Sequence, residues 1–246
     1  MLFDFNGVLI DSIPLWEEAF KKTVENAGLP LYMYNHNFAK RGYTLADKWT
    51  YFLSSIDVVP QVAFNDLVRQ TESTFINMAY EQNLDVLDGF YQFAAELKEK
   101  NYSLGLVSNS RKFVIDSILE KLKLRDHVFD VIVTSEEVKN PKPKRDIYIA
   151  ACQRLNILPS KALVFEDSIP GATASTKAGC TTIIIWDGSY ERADYPHSIV
   201  YFFVDFTPFA GNLDRGLMET VEEFKNLVME QPPTPATSLD TVPPGN

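Results

Sequence analysis

Two adjacent carboxylates, Glu166 and Asp167, follow a short apolar run at residues 162–165. Such a run is typical of a buried strand, so two negative charges are expected at its carboxyl end. These charges repel one another unless a cation lies beside them. Carboxylate oxygens without His or Cys favour a hard ion such as Mg²⁺. The alternative is that Asp167 or Ser168 caps the following helix.

A third carboxylate, Asp4, lies at the end of the first apolar run, in the segment FDFNGVLIDS, and Gly7 follows it. Ligands of open α/β sheets bind beyond the carboxyl ends of the strands. A carboxylate at such a position can attack phosphorus and form an aspartyl phosphate. The alternative is an ordinary turn made by an Asp and a Gly.

Two further motifs carry groups that suit an anion. In LVSNS, the Ser108 hydroxyl can donate to a phosphoryl oxygen, and the backbone N–H groups of Asn109 and Ser110 can help to hold it. In NPKPKRDIY, Lys142 can neutralise charge between the nucleophile and an incoming phosphate. The alternatives are a helix N-cap for the first motif and a solvated basic loop for the second.

The elements that must position these residues alternate along the chain. Short apolar runs predict six strands, at 2–5, 104–108, 129–134, 162–165, 181–186 and 198–206. Amphipathic patterns predict helices at 90–100, 113–124, 146–155, 169–178 and 216–229, with Asp88 capping the first of them and Gly179 ending the fourth. This alternation predicts an α/β fold, a Rossmann-like parallel sheet with helices on both faces.

Residues 13–85 break the alternation, because they contain no convincing strand. Helices are predicted at 14–27, 44–55 and 61–80. We therefore predict an α/β core domain made of residues 1–12 and 86–230, with an all-helical cap domain, 13–85, inserted after the first strand. The Pro/Thr-rich residues 231–246 are predicted to be a disordered tail.

The four motifs, in this order, resemble those of the haloacid dehalogenase superfamily. The family pattern is Asp-x-Asp-Gly, then Ser or Thr, then Lys, then an acidic pair. The likeness is closest to the phosphatase and β-phosphoglucomutase-like branch, which carries a helical cap after the first strand, and it extends over about residues 1–230. It implies a Mg²⁺-dependent phosphohydrolase that acts on a small phosphorylated metabolite through an aspartyl phosphate.

The resemblance also implies a role for each motif residue. Asp4 would be the nucleophile and a metal ligand. The backbone carbonyl of residue 6 would also bind the metal, and Asn6 can still supply it. Ser108 and Lys142 would bind the transferring phosphoryl group, and the acidic pair would complete the metal site, directly or through water.

Asn6 departs from the family pattern, in which a second Asp protonates the leaving oxygen and then activates water. An amide cannot exchange a proton in this way near neutral pH. Losing a general acid/base typically costs about 10²–10⁴ in rate. Three interpretations stay open: an engineered change that slows turnover, a natural enzyme whose acyl or aryl leaving group needs no proton, and a silent phosphate-binding or regulatory relative.

The predicted cap offers candidate substrate contacts. The loop 41–44 resembles the family's cap loop facing the active site, and Arg41 can meet a second anionic group. Leu45 replaces an Arg found in β-phosphoglucomutases, which weakens a mutase interpretation. A phosphonatase would need a cap lysine that forms a Schiff base; the candidates are Lys21, Lys22, Lys40 and Lys48.

Charge and composition bear on partners. The net charge is −10 and the pI is about 4.8, which disfavours nucleic acid and anionic membranes as partners. No apolar run reaches the length of a membrane span, and no signal peptide is recognised. Cys152 and Cys180 are predicted to be core residues of a reduced protein. A cytoplasmic monomer or weak dimer is expected.

Overall fold

The structure is a computed structural model that describes residues 1–34, 42–124, 128–199 and 201–213 of the 246-residue chain. Arg41, the predicted helix 216–229 and the predicted tail lie outside the described residues.

A six-stranded parallel sheet forms the centre of the fold. Its order is β3-β2-β1-β4-β5-β6. The strands are β1 (Leu2–Phe3), β2 (Gly105–Ser108), β3 (Val131–Thr134), β4 (Leu163–Glu166), β5 (Thr181–Ile185) and β6 (Tyr201–Phe203). Although β1 has only two residues, it pairs with β2 on one side and β4 on the other. The predicted α/β parallel sheet is thus confirmed.

Helices cover both faces of this sheet. The helices are α1 (Ile13–Asn26), α2 (Leu45–Ser54), α3 (Phe64–Glu81), α4 (Phe90–Glu99), α5 (Lys112–Lys121), α6 (Asp146–Arg154) and α7 (Ile169–Ala178). Successive side chains of a strand point to opposite faces. Accordingly, Phe3 packs against the α4 residues Phe90 and Phe93, whereas Leu2 joins a separate cluster with Ile147 and Ala151 of α6.

The described part of residues 13–85 contains α1, α2, α3 and a short 3₁₀ helix, in agreement with the predicted all-helical insert. Phe20 of α1 stacks on Trp49 of α2 with ring centroids 4.3 Å apart, and both belong to a small separate core. An antiparallel bridge between Ile10 and Val86 brings the two ends of the insert together. The domain boundaries themselves stay a prediction.

The predicted N-cap of α4 is wrong. Gly89, not Asp88, precedes the helix, and no side chain caps it. Gly89 has φ +78°, and a Cβ there would lie 2.5 Å from the backbone carbon of Phe206. The Asp88 carbonyl accepts the N–H of Phe206 at 2.9 Å. A glycine is required because the chain turns sharply against another backbone.

Cys152 and Cys180 are buried in one core cluster, as predicted. Within the described ranges, none of the helices combines the length and the apolar character that crossing a membrane requires.

Candidate active site

The predicted site residues converge at one edge of the sheet. Asp4 directly follows β1, while Ser108 and Glu166 end the neighbouring strands β2 and β4. The chain runs from β1 to β2 and β3 on one side of β1, and then crosses to β4 on its other side. Such a reversal of strand order leaves a crevice at the carboxyl ends of these three strands. All three side chains are buried there.

Lys142 joins two of these strand ends. Its ammonium group donates to Asp4 Oδ1 at 2.5 Å, to Glu166 Oε1 at 2.6 Å and to the Val107 carbonyl at 3.0 Å. Burial raises the pKa of Asp4 to about 7, although Lys142 opposes the rise. Burial alone would lower the pKa of Lys142, but the two carboxylates outweigh it and raise the pKa. The side chain is a buried counter-ion shared by two acids.

Glu166 is held by five hydrogen bonds. Its Oε1 accepts from Lys142 and from the Tyr148 hydroxyl, the latter at 2.5 Å. Its Oε2 accepts from the N–H groups of Asp167 and Ser168 and from the Ser168 hydroxyl. Burial raises the pKa of Tyr148 well above its ordinary value, so this phenol is a proton donor. Tyr148 was missed by the sequence analysis, although it lies in the quoted NPKPKRDIY segment.

Helix α7 begins against Glu166 and leaves no room for a side chain at Gly171. A Cβ at Gly171 would lie 1.9 Å from Glu166 Oε1. We expect Gly171→Ala to lower the free energy of unfolding by about 1–3 kcal/mol, even though Ala favours helices. Urea unfolding measures this loss. Lys177→Ala, at an exposed position of the same helix, is the control and should change the free energy of unfolding by less than about 0.5 kcal/mol.

A loss from Gly171→Ala no larger than that from Lys177→Ala would contradict the assigned contact between residue 171 and Glu166.

Three buried carboxylates could hold a metal ion. Asp4, Glu166 and Asp167 offer ligand atoms that all lie within 4.8 Å of one another. A Cβ on Gly7 (φ +80°) would lie 2.3 Å from Asp167 Oδ2, so glycine lets this chain segment approach the carboxylate. A set of oxygen donors without His or Cys suits Mg²⁺. The residues therefore fit the ion that the resemblance implies.

The Asn6 side chain has a defined orientation. Its Oδ1 accepts from the Ser12 hydroxyl at 2.8 Å and from the Trp16 indole N–H at 2.9 Å. Its Nδ2 donates to the Ser110 hydroxyl at 2.8 Å. The amide is thus fixed at the edge of the site. Ser12 and Trp16 were not singled out from the sequence, since neither belongs to a strand end.

The LVSNS segment is fixed by its own hydrogen bonds. The Ser110 N–H, which sequence analysis assigned to anion binding, donates to Ser108 Oγ at 3.1 Å. The Asn109 amide donates to the carbonyls of Gly42 and Lys142, and its Oδ1 accepts the Lys142 N–H. Asn109 therefore connects the loop at Gly42 with two of the site motifs.

A cavity of about 280 Å³ opens between these motifs and the helical insert. Asp4, Asn6, Ser108 and Lys142 line it from the sheet side. The insert contributes a larger set: Ile13, Trp16, residues 42–46, Lys48, Val68 and Glu72. Of the basic residues in NPKPKRDIY, Lys142 is buried at the site, whereas the other two, Lys144 and Arg145, are exposed.

Of the four candidate Schiff-base lysines, Lys48 lines the cavity. Lys22 forms an ion pair with Glu18 at 2.9 Å, and Lys21 lies over the Tyr34 ring. Lys40 lies outside the described residues.

Comparison with known proteins identifies the class. The sequence profile of haloacid dehalogenase-like hydrolases matches residues 1–185. The chain belongs to this family, and its resemblance to the phosphatase and β-phosphoglucomutase-like branch is confirmed.

The chain is similar to particular known proteins and solved structures. The chain is 29% identical over 186 residues to the phosphorylated carbohydrates phosphatase of Thermotoga maritima, covering 74% of this chain and 82% of that protein. Solved structures with the same fold include CbbY from Rhodobacter sphaeroides in complex with phosphate, at TM-score 0.76 and 23% identity, covering 90% and 97% of the two chains. β-Phosphoglucomutase from Clostridium difficile matches at TM-score 0.71 and 20% identity, covering 94% and 98%.

Proposed function

We propose that this protein is a Mg²⁺-dependent phosphohydrolase that acts on a small phosphorylated metabolite, with Asp4 as the nucleophile. One observation carries the proposal: the buried ammonium of Lys142 contacts both Asp4 and Glu166 beside a cavity large enough for a small ligand. The phosphatase relative named for phosphorylated carbohydrates supports this substrate class.

The reaction divides among the chain's own groups. An Asp4 carboxylate oxygen attacks phosphorus, the bond to the leaving oxygen breaks, and an aspartyl phosphate forms. The Ser110 N–H occupies one acceptor site of Ser108 Oγ, so the Ser108 hydroxyl proton can be donated to a phosphoryl oxygen. Lys142 offsets the charge that develops on the transferring group.

The metal ion would be held by Asp4, by the Asn6 backbone carbonyl and by the acidic pair, Glu166 and Asp167. When bound, Mg²⁺ supplies positive charge that offsets the charge of nucleophile and phosphoryl oxygens. Both oxygens of Glu166 already accept hydrogen bonds, one of them from Lys142, so Glu166 can also act by orienting the Lys142 ammonium group.

Asn6 also favours a second candidate function, a phosphate-binding relative that does not turn over. The residue presents an amide where the family's acid/base carboxyl is expected, and three side chains fix that amide in place. Such a protein would bind phosphate and release it unchanged.

Trapping the phosphoenzyme separates these candidates. With acetyl phosphate and Mg²⁺, we expect one phosphoryl group to accumulate on the protein, because Asn6 slows its hydrolysis more than its formation. Intact-protein mass spectrometry after acid quenching measures the labelled fraction. Asp4→Asn and an excess of EDTA should each reduce labelling to background.

Asp11→Asn is the matched control, since Asp11 is an exposed acid of the same segment and should leave labelling unchanged. Binding of phosphate without any labelling would support the silent protein. Equal labelling of the Asp4→Asn variant would contradict the assigned nucleophile.

A further inference from the structure

A cluster of three charged side chains, none of them part of the carboxylate triad, lines the same cavity. The residues are Glu72, Arg111 and Glu136, which we call the Glu72 cluster. Arg111 Nη1 donates to Glu72 Oε2 at 3.0 Å, and Arg111 Nε donates to Glu136 Oε1 at 3.1 Å. Glu72 belongs to α3 of the helical insert, while Arg111 directly follows the LVSNS motif.

The two acids of this cluster differ in burial. The Glu72 side chain is 2% exposed, whereas that of Glu136 is 43% exposed. Glu136 also accepts the Lys112 N–H at 2.8 Å, which fixes it at the start of α5. With two carboxylates on one guanidinium, the cluster carries a net charge of −1. Solvent screens the negative charge least at Glu72, because this acid is the buried one.

This arrangement discriminates between ligands by charge. A second phosphoryl group can reach the remaining N–H donors of Arg111 only beside two carboxylates that already contact the guanidinium. Repulsion from Glu72, which solvent screens little, opposes that approach. A hydroxyl group is favoured instead, because it can donate a hydrogen bond to Glu72. A carboxylate has about four acceptor sites, and Arg111 occupies one of those on Glu72. The wall therefore suits a hydrogen-bond donor and opposes an anion.

We propose that Glu72 is a specificity-determining residue that accepts hydrogen bonds from hydroxyls at the non-phosphorylated end of the substrate and rejects a second phosphoryl group. The preferred substrates are then monophosphates of polyols or sugars, and bisphosphates are excluded. This inference rests on the proposed function, since it requires the first phosphoryl group to lie between Asp4, Ser108 and Lys142 in the same cavity.

Titration calorimetry of the full chain with Mg²⁺ tests the inference. The probes are inorganic phosphate, glucose 6-phosphate and glucose 1,6-bisphosphate. We expect the monophosphate to bind about tenfold or more tightly than the bisphosphate, despite the greater charge of the latter. Glu72→Gln should raise bisphosphate affinity about tenfold and change inorganic phosphate affinity less than about twofold.

Glu136→Gln is the matched control, and its effect should stay below about threefold because solvent screens this acid. Glu72→Asp keeps the charge and should still reject the bisphosphate. Equal gains from Glu72→Gln and Glu136→Gln would overturn the assignment to Glu72.

Measurements on the unsubstituted chain test the inference without depending on whether a variant folds. If it binds the bisphosphate as tightly as the monophosphate, the inference fails while the proposed function stands. Arg41→Gln would then report whether Arg41 holds the second group. If inorganic phosphate does not bind at all in the presence of Mg²⁺, the proposed function fails and this inference fails with it.

Discussion

Asn6→Asp is expected to raise kcat for the hydrolysis of p-nitrophenyl phosphate by about 10²–10⁴-fold in the presence of Mg²⁺. The reason is that a carboxyl at this position supplies the missing general acid/base. It protonates the leaving oxygen and then takes a proton from the water that attacks the aspartyl phosphate. Steady-state release of p-nitrophenol measures the gain.

The environment of Asn6 accepts this change without a large loss of stability. One carboxyl oxygen keeps the hydrogen bonds from Ser12 and Trp16. The other replaces Nδ2, and the Ser110 hydroxyl, now bonded to that nitrogen, can donate as well as accept. We therefore expect the variant to fold normally. The gain should be larger for an alkyl phosphate than for an aryl phosphate, because an alkoxide leaving group needs the proton more.

Asn6→Ala is the control for this prediction. It removes the amide without supplying an acid, so it should give no gain. If Asn6→Asp also gives none, although the chain still binds phosphate, the protein does not use this position for proton transfer. High activity of the unsubstituted chain would mean that another group supplies the proton.

The sequence predicted the elements that depend on local pattern. Helix α7 has the predicted bounds, because Ser168 accepts the Gly171 N–H at its start and Gly179 adopts a left-handed conformation at its end. The strand ends that carry Ser108 and Glu166 were also predicted, since each apolar run stops where polar residues begin. Parallel pairing then brings these ends to one edge of the sheet.

Other features depend on contacts that no local pattern records. The Glu72–Arg111 pair joins residues 39 positions apart, and the Trp16 indole meets Asn6 across the start of α1. The wrong N-cap of α4 has the same origin, because the backbone of Phe206 packs against Gly89 and leaves no room for a Cβ there. Tertiary packing decides such contacts, whereas periodicity and spacing report only on each element by itself.

Lys142→Met is expected to lower the free energy of unfolding by about 3–5 kcal/mol, measured by urea denaturation without added metal. The substitution keeps most of the buried volume but removes the ammonium group. It leaves Asp4 and Glu166 as two buried carboxylates without the cation that now contacts both of them. Breaking a buried ion pair on one side is costly because the remaining charges stay out of water.

The loss should depend on pH in a defined direction. Burial raises the pKa of Asp4 to about 7, above the ordinary range of an Asp in an unfolded chain. The folded state therefore binds the Asp4 proton more tightly than the unfolded chain does. The stability that this gives is fully present below the unfolded pKa of Asp4 and is lost as the pH rises through about 7. Removing Lys142 removes the group that opposes this rise in pKa, so the variant should lose more stability at pH 8 than at pH 5.

Lys144→Met provides the matched control, because Lys144 is an exposed lysine two positions away in the same turn. We expect it to change the free energy of unfolding by less than about 0.5 kcal/mol, with little dependence on pH. A small loss for Lys142→Met at pH 8 would mean that Asp4 and Glu166 do not rely on Lys142 as their counter-ion. The two buried carboxylates of the proposed phosphohydrolase would then need another source of positive charge. Mg²⁺ is the first candidate, and repeating the denaturation in its presence tests it.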